Sequence, residues 1–286
     1  MKMHHWALAA ILAFAMFSQS SPAQVLGSAD QFAVLAGTTV TSTGNTVLNG
    51  DLGVSPGTAI TGFLPGVVNG TTYSAGSVAL QAQSDALAGY IFFKTELSFQ
   101  DLTGIDLGGL TLDAGVRNFD TSAQLTGIVI LDAQGNPDAQ FDFQIGSTLT
   151  TAAGSEVVLV NGAQADNVHW AVGSSATLGT TTVFFGDIVT DQSITLNTGA
   201  NVTGSLVALN GAVTLNDNTV TSEKIIAAAV PEPAIGWLLF ASALFIGQRR
   251  WLAGAAAGAI AAVRSAPARP PDLQFTPAPL TVLVAK

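Results

Sequence analysis

Few side chains of this sequence could serve as a general base, a nucleophile or a metal ligand. The 286 residues include no cysteine and three histidines, and two of these, His4 and His5, fall in the first five positions. The third, His169, lies between Val168 and Trp170, where an isolated imidazole is more typical of a packed strand residue than of a catalyst. Phosphate-binding, serine-hydrolase and dinucleotide motifs are absent from the sequence. We therefore predict a protein that is not an enzyme and that uses no cofactor or metal.

The charge of the chain excludes a further class of partner. Nine basic residues stand against nineteen acidic ones, a formal charge of −10. Between positions 24 and 230 the only basic residues are Lys94, Arg117 and Lys224, against seventeen acidic residues, so this part carries 3 − 17 = −14. No basic stripe is available to neutralise phosphates, which excludes nucleic acid. The same scarcity of bases argues against a lyase that abstracts a proton from a polysaccharide.

The first 23 residues predict a secretory signal peptide. Lys2 precedes the apolar run Trp6–Phe17, and the small-residue pattern Ser21-Pro22-Ala23 follows. The run is too short for a comfortable membrane span, which favours a cleaved signal over an anchor. We expect a secreted or cell-surface protein whose mature chain begins near Gln24.

The far end of the chain carries a second targeting pattern. Val230-Pro231-Glu232-Pro233 is followed by the apolar run Ala234–Gly247 and by Arg249-Arg250. Residues 230–250 resemble a PEP-CTERM sorting signal, which implies an exosortase as a partner during export. An ordinary C-terminal anchor is the alternative. Such signals end soon after the basic pair, whereas 251–286 form an Ala- and Pro-rich tail that we expect to be disordered.

One long helix is expected, over residues 77–97. Leu80, Leu87 and Ile91 fall on one side of it, which predicts an apolar stripe facing a core. Ser77 or Ser74 could cap its start.

The remaining sequence predicts short strands arranged as a repeat. Ala176-Thr177-Leu178 recurs as Ile194-Thr195-Leu196 and as Val213-Thr214-Leu215, at offsets of 18 and 19 residues. Eighteen residues suit one coil of a three-sided parallel β-solenoid, and Gly, Asn and Asp at the intervening corners tolerate the required backbone angles. The alternation of strand side chains predicts two outward arrays. One is the column Thr177, Thr195 and Thr214, and the other, on a second side, comprises Asn201, Thr203, Thr219 and Thr221.

Several long motifs carry a family resemblance. Residues 26–35 (LGSADQFAVL), 141–149 (FDFQIGSTL), 168–179 (VHWAVGSSATLG), 193–203 (SITLNTGANVT) and 211–221 (GAVTLNDNTVT) closely resemble the DUF3494-type ice-binding proteins. The resemblance covers nearly the whole expected domain, 24–228. It implies an irregular right-handed three-sided parallel β-helix with an α-helix alongside, and N-terminal residues that pair with the last coils. It also implies ice as the partner and antifreeze activity in cold adaptation.

Two functional hypotheses follow. In the first, the secreted protein adsorbs to ice through a flat Thr/Asn-bearing face and inhibits ice growth. In the second, it is a non-catalytic cell-surface or exopolysaccharide-matrix protein of the same fold, with extracellular polysaccharide as its partner. For the ice site we favour the second side, because it adjoins the in-phase corner Thr198-Gly199-Ala200-Asn201. This corner matches the Thr-(Ala/Gly)-x-(Thr/Asn) motif that the resemblance implies near the ice-binding side. The column of Thr177, Thr195 and Thr214 is the second candidate for the ice site, because its regularity could reflect packing against the helix.

Overall fold

Residues 25–223, as described by a computed structural model, form a coil of short strands with one long helix. A 3₁₀ turn, Gly27–Gln31, precedes the first strand, a second one covers Ala165–Asn167, and helix α1 is Ser77–Thr95. The strands in chain order are β1 Phe32–Ala36, β2 Thr39–Thr43, β3 Val47–Asn49, β4 Asp51–Val54, β5 Ala59–Thr61, β6 Val67–Asn69, β7 Thr72–Ser74, β8 Gln100–Asp101, β9 Thr111–Asp113, β10 Gly115–Phe119, β11 Ala123–Leu125, β12 Ile128–Asp132, β13 Phe141–Ile145, β14 Leu149–Thr151, β15 Glu156–Val160, β16 Val168–Val172, β17 Ala176–Leu178, β18 Val183–Phe185, β19 Asp187–Thr190, β20 Ile194–Leu196, β21 Asn201–Thr203, β22 Leu206–Ala208, β23 Val213–Asn216 and β24 Thr219–Thr221.

The strands form three parallel sheets, one for each side of a three-sided β-helix. Sheet A runs β7-β4-β1-β22-β19-β16-β13-β10-β8, sheet B runs β11-β14-β17-β20-β23-β2-β5, and sheet C runs β6-β3-β24-β21-β18-β15-β12-β9. Each coil contributes one strand to each sheet in turn, so the inward-facing apolar residues of successive strands fill a shared interior. The predicted fold class is confirmed.

The predicted repeat is confirmed by the register. Thr177 pairs with Thr195, and Thr195 pairs with Thr214, on adjacent strands of sheet B. On sheet C the pairs are Asn201 with Thr219 and Thr203 with Thr221. Earlier coils are longer, since Phe141 pairs with Val168, and the short repeat is therefore visible only in the last third of the chain.

The N-terminal coils stack on the C-terminal ones, as expected. Strand β1 pairs with β22, β2 with β23 and β3 with β24. The chain then makes one further coil through β4, β5 and β6 and reaches β7 at the end of sheet A. From there α1 leads to β8 at the opposite end of that sheet, which we call the foot of the solenoid.

The interior contains closely stacked aromatic rings. The Phe143 and Trp170 rings lie parallel, with centroids 3.8 Å apart, and Phe184 packs against the same indole at 4.9 Å. Trp170 Nε1 donates to the backbone oxygen of Phe185 at 3.1 Å, so the one polar group of this buried ring is satisfied.

The corners between sheets C and A depend on glycine. Gly204 has a φ of +140°, and an added Cβ there would overlap the carbonyl oxygen of Gly186, the corresponding corner residue one coil away. Only glycine allows the coils to approach this closely with that backbone angle.

Helix α1 packs on sheet A with the opposite orientation to the one expected. Its buried residues are Ala79, Ala82, Gln83, Ala86, Gly89 and Phe93. Leu80, Leu87 and Ile91 are about half exposed, at 59%, 47% and 53%. Because small side chains let the helix backbone lie close to the sheet, the alanine face is buried and the larger residues remain outside. The predicted leucine stripe facing the core is therefore wrong.

The ends of the helix also differ from expectation. Gly76 is the N-cap and makes no side-chain hydrogen bond, while Ser74 Oγ donates to the backbone oxygen of Thr58 at 2.7 Å. The predicted serine cap is wrong.

Neither this helix nor any other part of 25–223 is both long and apolar enough to cross a membrane. The expected signal peptide (1–23), sorting segment (230–250) and tail (251–286) lie outside the described residues, so these boundaries remain predictions.

Candidate functional site

The outward face of sheet B carries one continuous column of threonines. In register order the column holds Gln124, Thr150, Thr177, Thr195, Thr214, Thr41 and Thr61. The residues on either side of most of these, such as Ile194 and Leu196, are fully buried in the core, which fixes the outward direction of the threonines. At about 4.8 Å between strands, six threonines extend over about 24 Å.

The hydroxyl groups in the middle of this column are free. Within residues 25–223, the hydroxyls of Thr150, Thr177, Thr195 and Thr214 hydrogen-bond to no other protein group, and the only bond along the column joins Thr61 to Thr41 at 3.4 Å. The seven strands of sheet B contain no Asp, Glu, Lys or Arg. The face is thus an uncharged array of donors, acceptors and methyl groups.

Sheet C carries the second predicted array, but over a shorter distance. Asn201 and Thr219 are exposed, and Thr203 and Thr221 are half-buried beside them. One coil toward the foot, Val183 pairs with Asn201 and Phe185 with Thr203, as the sequence indicated. Beyond these the outward positions hold Glu156, Ile128, Val158 and Ile130. The polar array is therefore interrupted by apolar and charged side chains.

Polar groups of sheet C also bond to one another. Asn69 Nδ2 donates to Asn49 Oδ1 at 2.8 Å, and Asn49 Nδ2 donates to Thr221 Oγ1 at 3.0 Å. This ladder stabilises the stack of coils, but it uses hydrogen-bonding capacity that sheet B leaves free.

The corner between sheets B and C holds the remaining predicted site residue. Thr198 is exposed there, and its Oγ1 accepts from Asn216 Nδ2 at 2.8 Å. Gly199, with a φ of +73°, forms the turn that leads from β20 to β21. Thr198 therefore belongs to the rim of both faces.

Helix α1 covers sheet A and leaves sheets B and C open. Its buried residues pack with Phe32, Leu35, Ala171, Val189 and Val207, all on strands of sheet A. The idea that packing against the helix explains the regular column of Thr177, Thr195 and Thr214 is therefore wrong.

Comparison with known proteins gives the family. The family model described as Ice-binding-like matches residues 34–221. The chain belongs to the Ice-binding-like family. It is 50% identical over 235 residues to the "Ice-binding protein" of Nostoc sp. (strain HG1), covering 78% of this chain and 86% of that one.

Solved structures agree with this assignment. An ice-binding protein from the Antarctic ascomycete Antarctomyces psychrotrophicus is 40% identical, with a TM-score of 0.67, and the match covers 69% of this chain and 97% of that one. An ice-binding protein from an Antarctic biological consortium is 46% identical, also at 0.67, over 68% and 89% of the two chains.

In this Ice-binding-like chain, sequence reasoning missed four positions of the sheet B column: Gln124, Thr150, Thr41 and Thr61. Thr150 and Gln124 belong to longer coils, and Thr41 joins the column only because the N-terminal coils stack on β23. A usable signal was present, because Thr41, Thr61 and Thr150 each follow an apolar strand residue: Val40, Ile60 and Leu149.

His169 is packed under α1 in the Ice-binding-like fold, as predicted. It is 5% exposed, its Nδ1 lies 2.8 Å from Asp142 Oδ1, and its ring stacks on Phe93 with centroids 4.2 Å apart. Although burial acts to lower the pKa of His169, the hydrogen bond to Asp142 and the charge of Asp187 outweigh it and raise that pKa. Burial raises the pKa of Asp187 to about 7. The buried His169 ring lies between α1 and sheet A, and its stacking on Phe93 joins the helix to the sheet.

Proposed function

We propose that this protein binds ice through the outward face of sheet B and thereby inhibits ice growth and recrystallisation. The observation that carries the proposal is a column of six threonines on an uncharged face, four of which, Thr150, Thr177, Thr195 and Thr214, have hydroxyls without a protein partner among the described residues. Membership of the Ice-binding-like family supports the same function.

The physical basis is a match between two regular lattices. Strands repeat at about 4.8 Å along the stack, a distance similar to spacings of oxygen atoms on ice planes. Each threonine offers a hydroxyl that can join a water lattice and a methyl group that orders the water beside it. Its β-branch restricts χ1, so the array is rigid before it meets ice.

Three observations favour sheet B over the second side that the sequence suggested. The column of sheet B continues through seven strands, whereas that of sheet C is interrupted at Val183 and Phe185. Four successive hydroxyls of the sheet B column have no protein partner in the described part of the chain, whereas Asn49 and Asn69 of sheet C are bonded to each other. Its strands carry no charge, whereas β15 of sheet C begins with Glu156, and a charged group holds water in a geometry unlike ice.

The test compares one bulky substitution on each face of the full chain. Thr195→Tyr puts a ring in the middle of sheet B, and Thr203→Tyr puts the same ring on sheet C. Both sites are half-buried outward positions, so each variant should remain folded by circular dichroism. We expect thermal hysteresis to fall sharply in Thr195→Tyr and to remain near that of the parent in Thr203→Tyr.

The opposite pattern would assign the ice site to Asn201, Thr203, Thr219 and Thr221 on sheet C instead. An unmodified chain with neither hysteresis nor recrystallisation inhibition would support the alternative of a matrix protein on the same fold.

We also propose that the protein is exported, losing residues 1–23 and being cut near Pro231–Pro233. The support is the sequence pattern at each end of the chain. Mass spectrometry of the exported protein from its own cells should show neither segment 1–23 nor Trp251–Lys286. A mass that includes 251–286 would exclude processing at the sorting signal.

A further inference from the structure

The foot of the solenoid contains an open cavity that the ice-contact face does not use. It has a volume of about 490 Å³ and lies where β8, β9 and β10 end sheets A and C. This size lies within the range of small-molecule sites. None of its lining residues belongs to sheet B, so a ligand here would leave the threonine column free.

Arg117 is the basic group of this cavity. It pairs with Phe143 on β13, whose side chain is in the core, and so points toward the interior at the end of the stack. The side chain is 2% exposed, and its Nη1 donates to the backbone oxygen of Gly115 at 2.9 Å.

This guanidinium keeps unused hydrogen-bonding capacity. Its Nε has no partner, and within residues 25–223 it forms no ion pair. Most of its five N–H donors are thus without an acceptor. Burying a guanidinium with unpaired donors costs free energy, and a ligand that supplies oxygen acceptors would reduce that cost.

The other walls add acceptors and an aromatic platform. Asp101 and Asp113 line the cavity beside Arg117, and the ring of Phe99, 78% exposed, stands at its rim. Asp101 Oδ1 holds the backbone N–H and hydroxyl of Thr103, which leaves its second oxygen open. Leu110 supplies apolar surface between these polar groups.

We propose that this cavity binds a neutral sugar unit of a glycan. Sugar hydroxyls would donate to Asp101 and Asp113 and accept from Arg117, while a C–H face of the ring would lie on Phe99. Two carboxylates in the walls, on a domain of net charge −14, disfavour an acidic ligand. A lipid chain is disfavoured because the charged groups of Arg117, Asp101 and Asp113 line the cavity beside its apolar residues.

The test is a titration of the full chain, followed by NMR, with glucose, galactose, mannose, N-acetylglucosamine and their disaccharides. Glucuronate is the acidic probe and glycerol the non-ring control. We expect at least one neutral sugar to bind and to shift the signals of Phe99 and Thr111. Phe99→Ala and Asp113→Asn should each weaken that binding about tenfold or more, the change that 1.4 kcal/mol produces.

The matched control is Leu97→Ala, which truncates a 94% exposed side chain of the same loop outside the cavity. It should bind sugar as the parent does, and both Phe99→Ala and Leu97→Ala should keep their thermal hysteresis. The proposal is overturned if no neutral sugar binds the folded chain, if glucuronate binds more tightly than every neutral sugar, or if Leu97→Ala weakens binding as much as Phe99→Ala.

Discussion

Thr41 lies beside Thr214 on adjacent parallel strands, although the two come from opposite ends of the described chain. This pairing joins the column of Thr150, Thr177, Thr195 and Thr214 to Thr41 and Thr61. The length of the candidate ice-contact face therefore depends on the N-terminal coils closing onto the C-terminal ones, and neither half of the chain presents the whole face.

The first prediction separates shape from hydrogen bonding at Thr195. Thr195→Val keeps the β-branch and its restricted χ1 but loses the hydroxyl, whereas Thr195→Ser keeps the hydroxyl and loses the methyl group. If rigidity and apolar contact contribute most, the valine variant should retain more thermal hysteresis than the serine variant. Hysteresis measured at matched concentrations gives the order, and a serine variant equal to the parent would contradict it.

The second prediction concerns the close corner at Gly204. Gly204→Ala puts a Cβ onto the carbonyl oxygen of Gly186 at a φ of +140°, so the free energy of unfolding should fall by about 3 kcal/mol or more. Gly135→Ala is the control, because Gly135 has a φ of +85° with open space around it. It should lose only about 1 to 2 kcal/mol. Urea unfolding measures both, and equal losses would remove the role assigned to the stacked corner.

The third prediction tests the orientation of α1. Leu87→Gln changes a residue on the exposed side and should alter the free energy of unfolding by no more than about 0.5 kcal/mol. Ala86→Leu adds volume where the helix meets sheet A and should cost about 1 to 3 kcal/mol. Thermal unfolding ranks the two variants, and a larger loss for Leu87→Gln would restore the orientation predicted from the sequence.

The sequence predicted the solenoid, the helix and both outward arrays because each depends on local regularity. Strand alternation and the spacing of Thr177, Thr195 and Thr214 are visible without any distant contact. The orientation of α1 was not predictable in this way, since its apolar residues surround it on several sides. Which side is buried depends on how closely the sheet approaches, and the small residues Ala82 and Ala86 permit the closest approach.

The full extent of the candidate site was not predictable from the sequence, for a different reason. Thr41 and Thr61 carry no repeat that places them beside Thr214, and only the closure of the two chain halves brings them there. Which sheet the helix covers likewise depends on distant contacts, and no local pattern in the sequence states it.

The fourth prediction concerns pH and the buried group beneath the helix. His169 and Asp187 both have a raised pKa in the folded protein, so both bind protons more tightly folded than unfolded. Their stabilising contribution is complete at low pH and is lost as the pH rises, from about 4 through about 7 for Asp187 and above about 6.5 for His169. The free energy of unfolding should therefore be lower at pH 8 than at pH 5.

The groups facing this site make the test specific. Asp142 and Asp30 also act on His169, and burial raises the pKa of Glu96 at the end of the helix. Asp187→Asn and His169→Gln should each reduce the difference in stability between pH 5 and pH 8. Asp138→Asn, which removes an exposed carboxylate, controls for the general negative charge. A difference unchanged in Asp187→Asn would exclude this group as its source.

The pairing of β1 with β22 means that one contact of the first strand must form late in synthesis. The first strand of the domain lies in the middle of sheet A, between β4 and a strand from the last coil. It lacks its C-terminal neighbour until nearly all of the domain has been synthesised. Such long-range contacts make folding slow, and the pairing of β1 is completed only when the final coils are available.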